Sequence, residues 1–253
     1  METFARRSGF PYHRLMDLSG RTVVVTGASS GIGEAVARDL AQCGAKILVT
    51  ARREERLRQM ASQLPECAYL AGDLTQPELP AQVIRKAELI HGGCDVVVNN
   101  AGIIETGTVN EIDLSRLSQM VRLNVEAAYR MAHVALRHFK KQGHGHLVNI
   151  SSVLGTKTRE RAGAYAGTKY ALEALSEALR MEFAGTDIKV SCVEPGLART
   201  ELHEHYDQHP AEALGIEKPL TPEDVARSVR FVLDQPDHVR IARILVLPGE
   251  GKI

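Results

Sequence analysis

A tyrosine and a lysine stand four residues apart in the segment YAGTKYALEAL, which covers positions 165–175. The segment reads as a helix, and a helix advances about 100° per residue, so Tyr165 and Lys169 lie about 40° apart on one face, while Tyr170 lies about 140° from Tyr165. A free tyrosine has a pKa of about 10, and a nearby ammonium favours the phenolate. The pair therefore indicates a proton-transfer site in which Lys169 lowers the pKa of Tyr165.

A serine near the end of a predicted strand is a candidate third member of this site. Ser152 lies in the segment NISSVLG, where its hydroxyl can hold a carbonyl or alcohol oxygen of a substrate. The alternative is that Tyr165 and Lys169 are routine residues of a core-packing helix, because a Tyr–Lys pair at this spacing carries little weight by itself.

Three glycines lie between the first predicted strand and the first predicted helix. Gly27, Gly31 and Gly33 occur in VVVTGASSGIGEAVA. Such a turn lets the backbone approach a pyrophosphate closely, and the helix N-terminus supplies free N–H groups and the positive end of a dipole. The spacing is G-x-x-x-G-x-G rather than G-x-G-x-x-G, and glycines also mark ordinary turns. Their place at the first strand-to-helix junction favours a dinucleotide site.

Two arginines follow the second predicted strand, in VTARRE, where a NAD site would place a carboxylate. A guanidinium can bind a 2′-phosphate with two hydrogen bonds, whereas a carboxylate would repel it. We therefore predict NADP(H) as the cofactor, with Arg52 as the main phosphate ligand beside Arg53, and with Ser29 and Ser30 as further donors. The alternative is that both arginines only begin a solvated helix.

Polar residues also follow the third and fourth predicted strands. Asp73, in GDL, is placed to accept a hydrogen bond from an adenine amine, and NNAG at 99–102 has two amides followed by small residues. Each motif would serve equally well to stabilise a turn. Their common position at one edge of the sheet favours a cofactor cleft.

Seven apolar segments alternate with helix-periodic segments along the chain. The predicted strands cover residues 22–27, 46–51, 67–72, 94–100, 146–151, 188–195 and 243–248. They are continuously rich in Val, Ile and Leu, which is typical of parallel strands buried on both faces. We predict a single doubly wound α/β domain over residues 20–253, a seven-stranded parallel sheet with helices on both faces. The irregular stretch around 197–220 is predicted to be a substrate lid.

The composition narrows the classes of function. Lys plus Arg equals Asp plus Glu, at 31 each, so no net field draws the chain to nucleic acid or to an anionic membrane. The sequence has no apolar run of about 18 residues, so no membrane span is predicted. The four cysteines are widely spaced, which predicts reduced thiols in a cytoplasmic protein and no metal site. Residues 1–19 are predicted to be a short polar extension, because no apolar export segment occurs in them.

Taken together, these motifs resemble those of the short-chain dehydrogenase/reductase family. The matching segments stand in the family's order and cover nearly the whole chain after the extension: TGASSGIG (26–33), NNAG (99–102), RLNVEAAY with Asn124, Ser152, YAGTK (165–169) and PGLART (195–200). The resemblance implies a Rossmann fold. It also implies an enzyme that transfers hydride between NADP(H) and a carbonyl or secondary alcohol.

The resemblance also assigns roles to residues. Tyr165 would exchange a proton with the substrate oxygen, Lys169 would lower its pKa and bind the nicotinamide ribose, and Ser152 would orient the carbonyl. Asn124 would hold a water that connects Lys169 to solvent; alternatively it is a helix-interior amide that satisfies backbone groups. The predicted cofactor contacts are Gly27, Ser29, Ser30, Gly31, Ile32, Gly33, Arg52, Arg53, Asp73, Leu74, Asn100, Ala101, Gly102, Tyr165, Lys169, Pro195, Gly196 and Thr200.

The C-terminal part resembles a subgroup of NADP-dependent dehydrogenases that act on small 3-hydroxy acids, serine and allo-threonine among them. The polar lid agrees with a small polar substrate, because a steroid or long acyl chain would need more apolar surface. Arg159, Arg161 and Arg199 are candidates to pair with a substrate carboxylate. The histidines of HEHYDQH (203–209) are predicted to be solvated or to face the substrate.

The sequence leaves several alternatives open. A 3-oxoacyl-thioester reductase would share every catalytic residue, and a non-catalytic NADP(H)-binding regulator would share the cofactor site. Many NADP-preferring relatives carry a basic residue where this chain has Ser30, so an enzyme that uses both nicotinamide cofactors stays open. The resemblance further implies a homodimer or homotetramer.

Overall fold

Seven parallel strands form one sheet in the computed structural model, which describes residues 18–206 and 208–250. The strand order is β3-β2-β1-β4-β5-β6-β7, and each neighbouring pair is parallel. The strands are β1 (Thr22–Thr26), β2 (Lys46–Ala51), β3 (Cys67–Ala71), β4 (Val96–Asn99), β5 (His144–Ile150), β6 (Asp187–Pro195) and β7 (Arg243–Val246). The predicted doubly wound α/β fold with a seven-stranded parallel sheet is confirmed.

Helices connect successive strands and cover both faces of the sheet. They are α1 (Gly31–Gln42), α2 (Glu54–Gln63), α3 (Leu79–His91), α4 (Leu114–Val121), α5 (Ala128–Gln142), α6 (Gly163–Glu182), α7 (Pro210–Ala213) and α8 (Pro222–Leu233). A π-helix (Arg122–Ala127) joins α4 directly to α5, so Leu114–Gln142 forms one continuous helical segment with an irregular centre.

The core consists of two layers, one on each side of the sheet. Val23 and Val25 of β1 are fully buried against α1 and α8, whereas Val24 is buried on the opposite side against α3 and α5. Successive side chains of a strand point to opposite faces, so an unbroken apolar strand needs a helix layer on each face. This explains why polar and apolar residues do not alternate along the internal strands.

The two edge strands are less buried than the sequence predicted. All five residues of β3 are only partly buried, and Leu245 of β7 is 47% exposed. Each of these strands has a neighbouring strand on one side only.

The first residue that the structure describes already packs into the core. Leu18 is buried, and its N–H donates to the carbonyl of Cys43 at 2.9 Å. The rest of the predicted extension, residues 1–17, lies outside the described residues. All four cysteines are free thiols.

Candidate active site

A cleft of about 730 Å³ runs along the carboxyl ends of the strands. It extends from the turn after β1 to the start of α6, and it brings together most of the predicted site. The predicted cofactor contacts that line it are Gly27, Ser29, Ser30, Gly31, Ile32, Arg52, Arg53, Asp73, Leu74, Asn100, Ala101, Gly102, Tyr165, Lys169 and Thr200. Gly33, Pro195, Gly196, Ser152 and Asn124 are not among its lining residues.

Tyr165 and Lys169 meet inside this cleft on one face of α6. Both are buried, and the Lys169 Nζ lies 5.8 Å from the centroid of the Tyr165 ring. The same Nζ donates to the backbone carbonyl of Ile150, at the end of β5, at 2.9 Å. Tyr170, one residue further along the helix, is 44% exposed. The helical phase predicted from the spacing therefore separates the two tyrosines correctly.

Ser152 lies next to this pair, just after β5. It is 8% exposed, and its Oγ accepts from the backbone N–H of Leu154 at 3.1 Å, which caps the short 3-10 turn Val153–Gly155. Its hydroxyl also lowers the pKa of Tyr165. The turn thus fixes the serine beside the tyrosine by a local hydrogen bond.

Burial controls the protonation of the pair. It raises the pKa of Tyr165 to about 12, a shift that Ser152 opposes and Tyr206 reinforces. Burial also lowers the pKa of Lys169 to about 8, although Glu173 and then Cys192 act in the opposite direction. Lys169 is not among the groups that shift the pKa of Tyr165, and desolvation of the phenolate in the core dominates, so the expectation that Lys169 lowers this pKa stays a prediction.

Glu173 lies one turn beyond Lys169 on the same face of α6. The residue is buried, and neither carboxylate oxygen has a hydrogen-bond partner among the described residues. Its nearest cation is the guanidinium of Arg243, with Nε 3.6 Å from Oε2. A buried carboxylate of this kind favours a positive charge on its neighbour, which explains its effect on Lys169.

Asn124 lies in the π-helix and is 2% exposed. Its Oδ1 accepts from the N–H of Ile103 at 2.9 Å, and its Nδ2 donates to the carbonyl of Ile103 at 2.8 Å and to Thr168 Oγ1 at 3.2 Å. The amide thereby ties the loop after β4 to α6. These contacts match the alternative in which Asn124 satisfies backbone groups, and its role in holding a water stays a prediction.

The glycine turn has the backbone geometry that its sequence suggested. Gly27 and Gly31 have φ values of +66° and +58°, which L side chains rarely adopt. A Cβ at Gly33 would lie 2.5 Å from the carbonyl oxygen of Gly27, so this glycine lets α1 approach the turn. Asn100 holds the turn from β4, because its Nδ2 donates to the carbonyl of Thr26 at 2.9 Å.

Arg53 is the arginine that contacts the glycine turn. Its Nε donates to Ser29 Oγ at 3.0 Å and its Nη2 donates to Ser30 Oγ. Arg52 lines the cleft as predicted, but within residues 18–206 and 208–250 it makes no hydrogen bond or ion pair. The sequence favoured Arg52 as the main phosphate ligand, whereas in the structure the arginine bonded to the glycine turn is Arg53.

Glu201 was not identified from the sequence. It begins the 3-10 turn Glu201–His203 after β6, and its carboxylate pairs with Arg53 Nη1 at 2.6 Å and with Arg56 Nη1 at 2.6 Å. No sequence signal links these residues, because the partners are 148 and 145 positions apart.

Asp73 lines the cleft after β3, where its carboxylate accepts from the N–H of Thr75 at 3.0 Å. This is the turn contact offered as its alternative role, and contact with an adenine amine stays a prediction.

The cleft also contains cationic residues that the sequence did not single out. Arg116 and Arg122 line it, and Arg116 Nε is 2.6 Å from Oε2 of the buried Glu105. The arginines predicted to bind a carboxylate, Arg159, Arg161 and Arg199, do not line this cleft. Arg161 instead pairs with Glu111 at 2.7 Å.

The histidines of residues 203–209 have different environments. His205 lines the cleft, whereas His203 is buried, and burial lowers its pKa to about 4. The prediction that these histidines are solvated or face the substrate is therefore wrong for His203. Tyr206 packs against the small apolar cluster that includes Tyr165, and a hydrogen bond of 2.8 Å joins its hydroxyl to Thr106 Oγ1. Across the described ranges, no group of three or more His, Cys, Asp or Glu is arranged to hold a metal ion.

A nicotinamide dinucleotide fits this arrangement. The turn leaves no room for a side chain at Gly27 or Gly33. Hydroxyls and guanidinium groups lie at one end of the cleft, and Tyr165 and Lys169 lie at the other. Ser29, Ser30 and Arg53 would hold phosphate groups, and Lys169 would hold a ribose.

Comparison with known proteins defines the class. Residues 21–211 match the family described as short chain dehydrogenase, and the chain belongs to that family. An uncharacterised oxidoreductase of Staphylococcus aureus strain USA300 is 33% identical over 233 residues, which cover 91% of this chain and 98% of the relative. The protein is thus a short-chain dehydrogenase/reductase enzyme that catalyses NAD(P)-dependent oxidation or reduction, which sets aside the non-catalytic regulator.

Two solved structures resemble the whole described fold. The closed form of serine dehydrogenase complexed with NADP+ has a TM-score of 0.86 and 28% identity, covering 92% of this chain and 96% of that one. A 3-ketoacyl-(acyl-carrier-protein) reductase from Brucella melitensis complexed with NADH has a TM-score of 0.84 and 25% identity, covering 92% and 99%. Among the described residues, no helix is long and apolar enough to cross a membrane.

Proposed function

We propose that this enzyme transfers hydride between NADP(H) and a small 3-hydroxy acid or the corresponding keto acid. The observation that carries the proposal is the single cleft that joins Tyr165 and Lys169 to the glycine turn and Arg53. The likeness to serine dehydrogenase supports the substrate class. Arg116 and Arg122 line the same cleft and can pair with a carboxylate, although the sequence had suggested other arginines for that role.

The buried residues of the site supply the proton chemistry. A bound nicotinamide provides the hydride step. Tyr165, kept protonated at neutral pH by its raised pKa, donates the Oη proton to the carbonyl oxygen of the substrate in the reducing direction. The Ser152 hydroxyl holds that same oxygen. Lys169, whose pKa of about 8 leaves it charged at neutral pH, stabilises the phenolate that results.

The loop around residues 197–220 is proposed as the lid over the substrate. Thr200, Leu202 and His205, at its start, line the cleft. A homodimer or homotetramer and a cytoplasmic location stay predictions from the sequence, and light scattering of the purified protein tests the first.

Replacement of Tyr165 by Phe tests the mechanism. We expect kcat to fall by about 10²–10⁴-fold, because the general acid is removed, while cofactor affinity changes little. Tyr170→Phe is the matched control, since it removes the same hydroxyl from an exposed position on the same helix, and it should leave kcat unchanged. Undiminished turnover in the Tyr165 variant would refute the mechanism.

A substrate screen tests the substrate class. Purified protein with NADP+ should oxidise 3-hydroxy acids such as serine or allo-threonine, with initial rates followed by nicotinamide absorbance. Turnover of bulky apolar ketones with NADPH, and of no hydroxy acid, would overturn the assignment.

A 3-oxoacyl-thioester reductase is the second candidate function. The likeness to the Brucella melitensis 3-ketoacyl reductase favours it, and its catalytic residues would be the same. Reduction of an acetoacetyl thioester at a higher kcat/KM than that of any 3-hydroxy acid would select this alternative.

Arginine variants test the cofactor proposal. Arg52→Ala and Arg53→Ala should each weaken binding of NADP+ far more than binding of NAD+, because only NADP+ carries the 2′-phosphate that a guanidinium grips. Isothermal titration of both nucleotides measures the two ratios. Equal losses for NADP+ and NAD+ would show that neither arginine recognises the phosphate.

A further inference from the structure

A carboxylate occupies one arm of the guanidinium that faces the glycine turn. Arg53 directs its Nε to Ser29 and its Nη2 to Ser30, while its Nη1 lies 2.6 Å from Oε2 of Glu201. Ser29, Ser30, Arg53 and Glu201 all line the cleft. The two hydroxyls and the guanidinium form a site suited to an anion, and the anion in contact with it is a side chain of the enzyme itself.

We propose that Glu201 competes with the 2′-phosphate of NADP(H) for Arg53 and thereby weakens the preference of the enzyme for NADP(H) over NAD(H). The inference rests on the proposed function, since it assumes that the adenosine end of the cofactor lies at the end of β2. NAD(H) carries hydroxyls only at that ribose and has no need to displace the carboxylate.

The second partner of Glu201 makes such displacement feasible. Arg56 Nη1 contacts both carboxylate oxygens, at 2.6 and 2.8 Å, whereas Arg53 contacts only one of them. Arg56 is not among the residues that line the cleft. When a phosphate binds Arg53, Glu201 therefore keeps Arg56, whose Nη1 contacts both of its oxygens, so the carboxylate has a charged partner in both states.

The exposure of these side chains limits the size of the effect. The side chains of Arg53, Arg56 and Glu201 are 45%, 48% and 32% exposed. Ion pairs of this exposure contribute little, since water and salt screen them, so removal of the competitor should change NADP(H) affinity by about two- to fivefold. The effect should be larger at low ionic strength.

The test is Glu201→Gln, which removes the charge and keeps the size of the side chain. Glu204→Gln is the matched control, because it makes the same charge change three residues away on an exposed residue of the same segment. Isothermal titration of the full-length protein with NADP+ and with NAD+ gives both dissociation constants. We expect Glu201→Gln to tighten NADP+ by about two- to fivefold and to leave NAD+ unchanged.

Combination with Arg53→Gln identifies the residue through which the competition acts. The effect of Glu201→Gln on NADP+ should vanish in the Arg53→Gln background, as in a double-mutant cycle with one shared contact. An unchanged or weaker NADP+ affinity in Glu201→Gln overturns the inference, and so does an equal gain for NAD+ or for the control variant. If the unaltered protein binds neither nucleotide, the proposed function fails first, and that result is distinct from all of these.

Discussion

The two ends of the cleft are built from opposite kinds of contact. At the catalytic end, Tyr165, Lys169 and Asn124 are each less than a tenth exposed, and the lysine and the asparagine bond to backbone groups. At the phosphate end, Arg53 and Glu201 are held by charged contacts that are about a third to a half exposed. Buried polar groups depend strongly on their partners, while exposed ion pairs contribute little. The catalytic end therefore has a fixed geometry, and the phosphate end can rearrange around its ligand.

Asn124→Ala should cause the largest loss of stability, because it removes contacts at the catalytic end. The change removes three hydrogen bonds of a buried side chain, two to the partly buried backbone of Ile103 and one to the buried Thr168. We expect the free energy of unfolding to fall by about 2–4 kcal/mol, since each hydrogen bond contributes about 1 kcal/mol and a partner left unsatisfied costs more. Chemical denaturation measures the loss.

Ser118→Ala is its matched control. The Ser118 hydroxyl also bonds to a backbone carbonyl, that of Leu114 at 2.9 Å, but the residue is exposed. Its loss should change the free energy of unfolding by less than about 0.5 kcal/mol. Equal effects of the two variants would contradict the contrast between the ends of the cleft.

Gly33→Ala tests the glycine turn, which is the closely packed part of the phosphate end. The added Cβ would lie 2.5 Å from the carbonyl oxygen of Gly27, so the backbone of the turn must move. We expect a loss of about 1–3 kcal/mol in the free energy of unfolding. Affinity for NADP+ and NAD+ should fall together, because the turn serves both.

Gly167→Ala is the control for that substitution. A Cβ at Gly167, on the exposed side of α6, would contact nothing within 4 Å. Alanine there should stabilise the protein by up to about 1 kcal/mol, because glycine is the poorer helix former. A stable Gly33 variant that binds cofactor normally would show that the turn is as adjustable as the arginines beside it.

Glu173→Gln probes the electrostatics of the catalytic end. Glu173 raises the pKa of Lys169, which burial has lowered to about 8, so removing its charge should lower that pKa further. Activity that needs a charged Lys169 is present below this pKa and is lost as the pH rises through it. The alkaline limb of the kcat profile should therefore move to lower pH, by up to about one unit.

Glu177→Gln, at the next turn of α6, is exposed and should leave the alkaline limb where it is. If the alkaline limb stays in place in the Glu173 variant, or moves to higher pH, Glu173 does not raise the pKa of Lys169.

Controls aside, the smallest expected effect belongs to Arg56→Gln. Its ion pair with Glu201 joins side chains that are 48% and 32% exposed, so thermal and chemical denaturation should show a change of less than about 1 kcal/mol. A loss as large as that of Asn124→Ala would mean that the phosphate end is also part of the stabilising core.

The sequence predicted the sheet and the placing of Tyr165 and Lys169 on one face of α6 because both depend on local patterns. Unbroken apolar segments define buried parallel strands, and the helical phase of Tyr165 and Lys169 follows from their spacing alone. The contact between Arg53 and Glu201 could not be predicted, because it joins exposed side chains 148 residues apart. The effect of burial, which raises the pKa of Tyr165, could not be predicted either, since it depends on how deeply tertiary packing buries the hydroxyl.

The π-helix between α4 and α5 also affects which changes of chain length the enzyme tolerates. A π-helical segment of this kind amounts to one residue more than an α-helical path would use. Deletion of one residue within Arg122–Ala127 would therefore give a regular α-helix in which α5 keeps nearly the same rotation and position relative to α4. The apolar side of α5 would still face the sheet, but the side chains inside the segment would change direction. Such a deletion should thus preserve the fold and instead disturb the hydrogen bonds of Asn124 to Ile103 and Thr168.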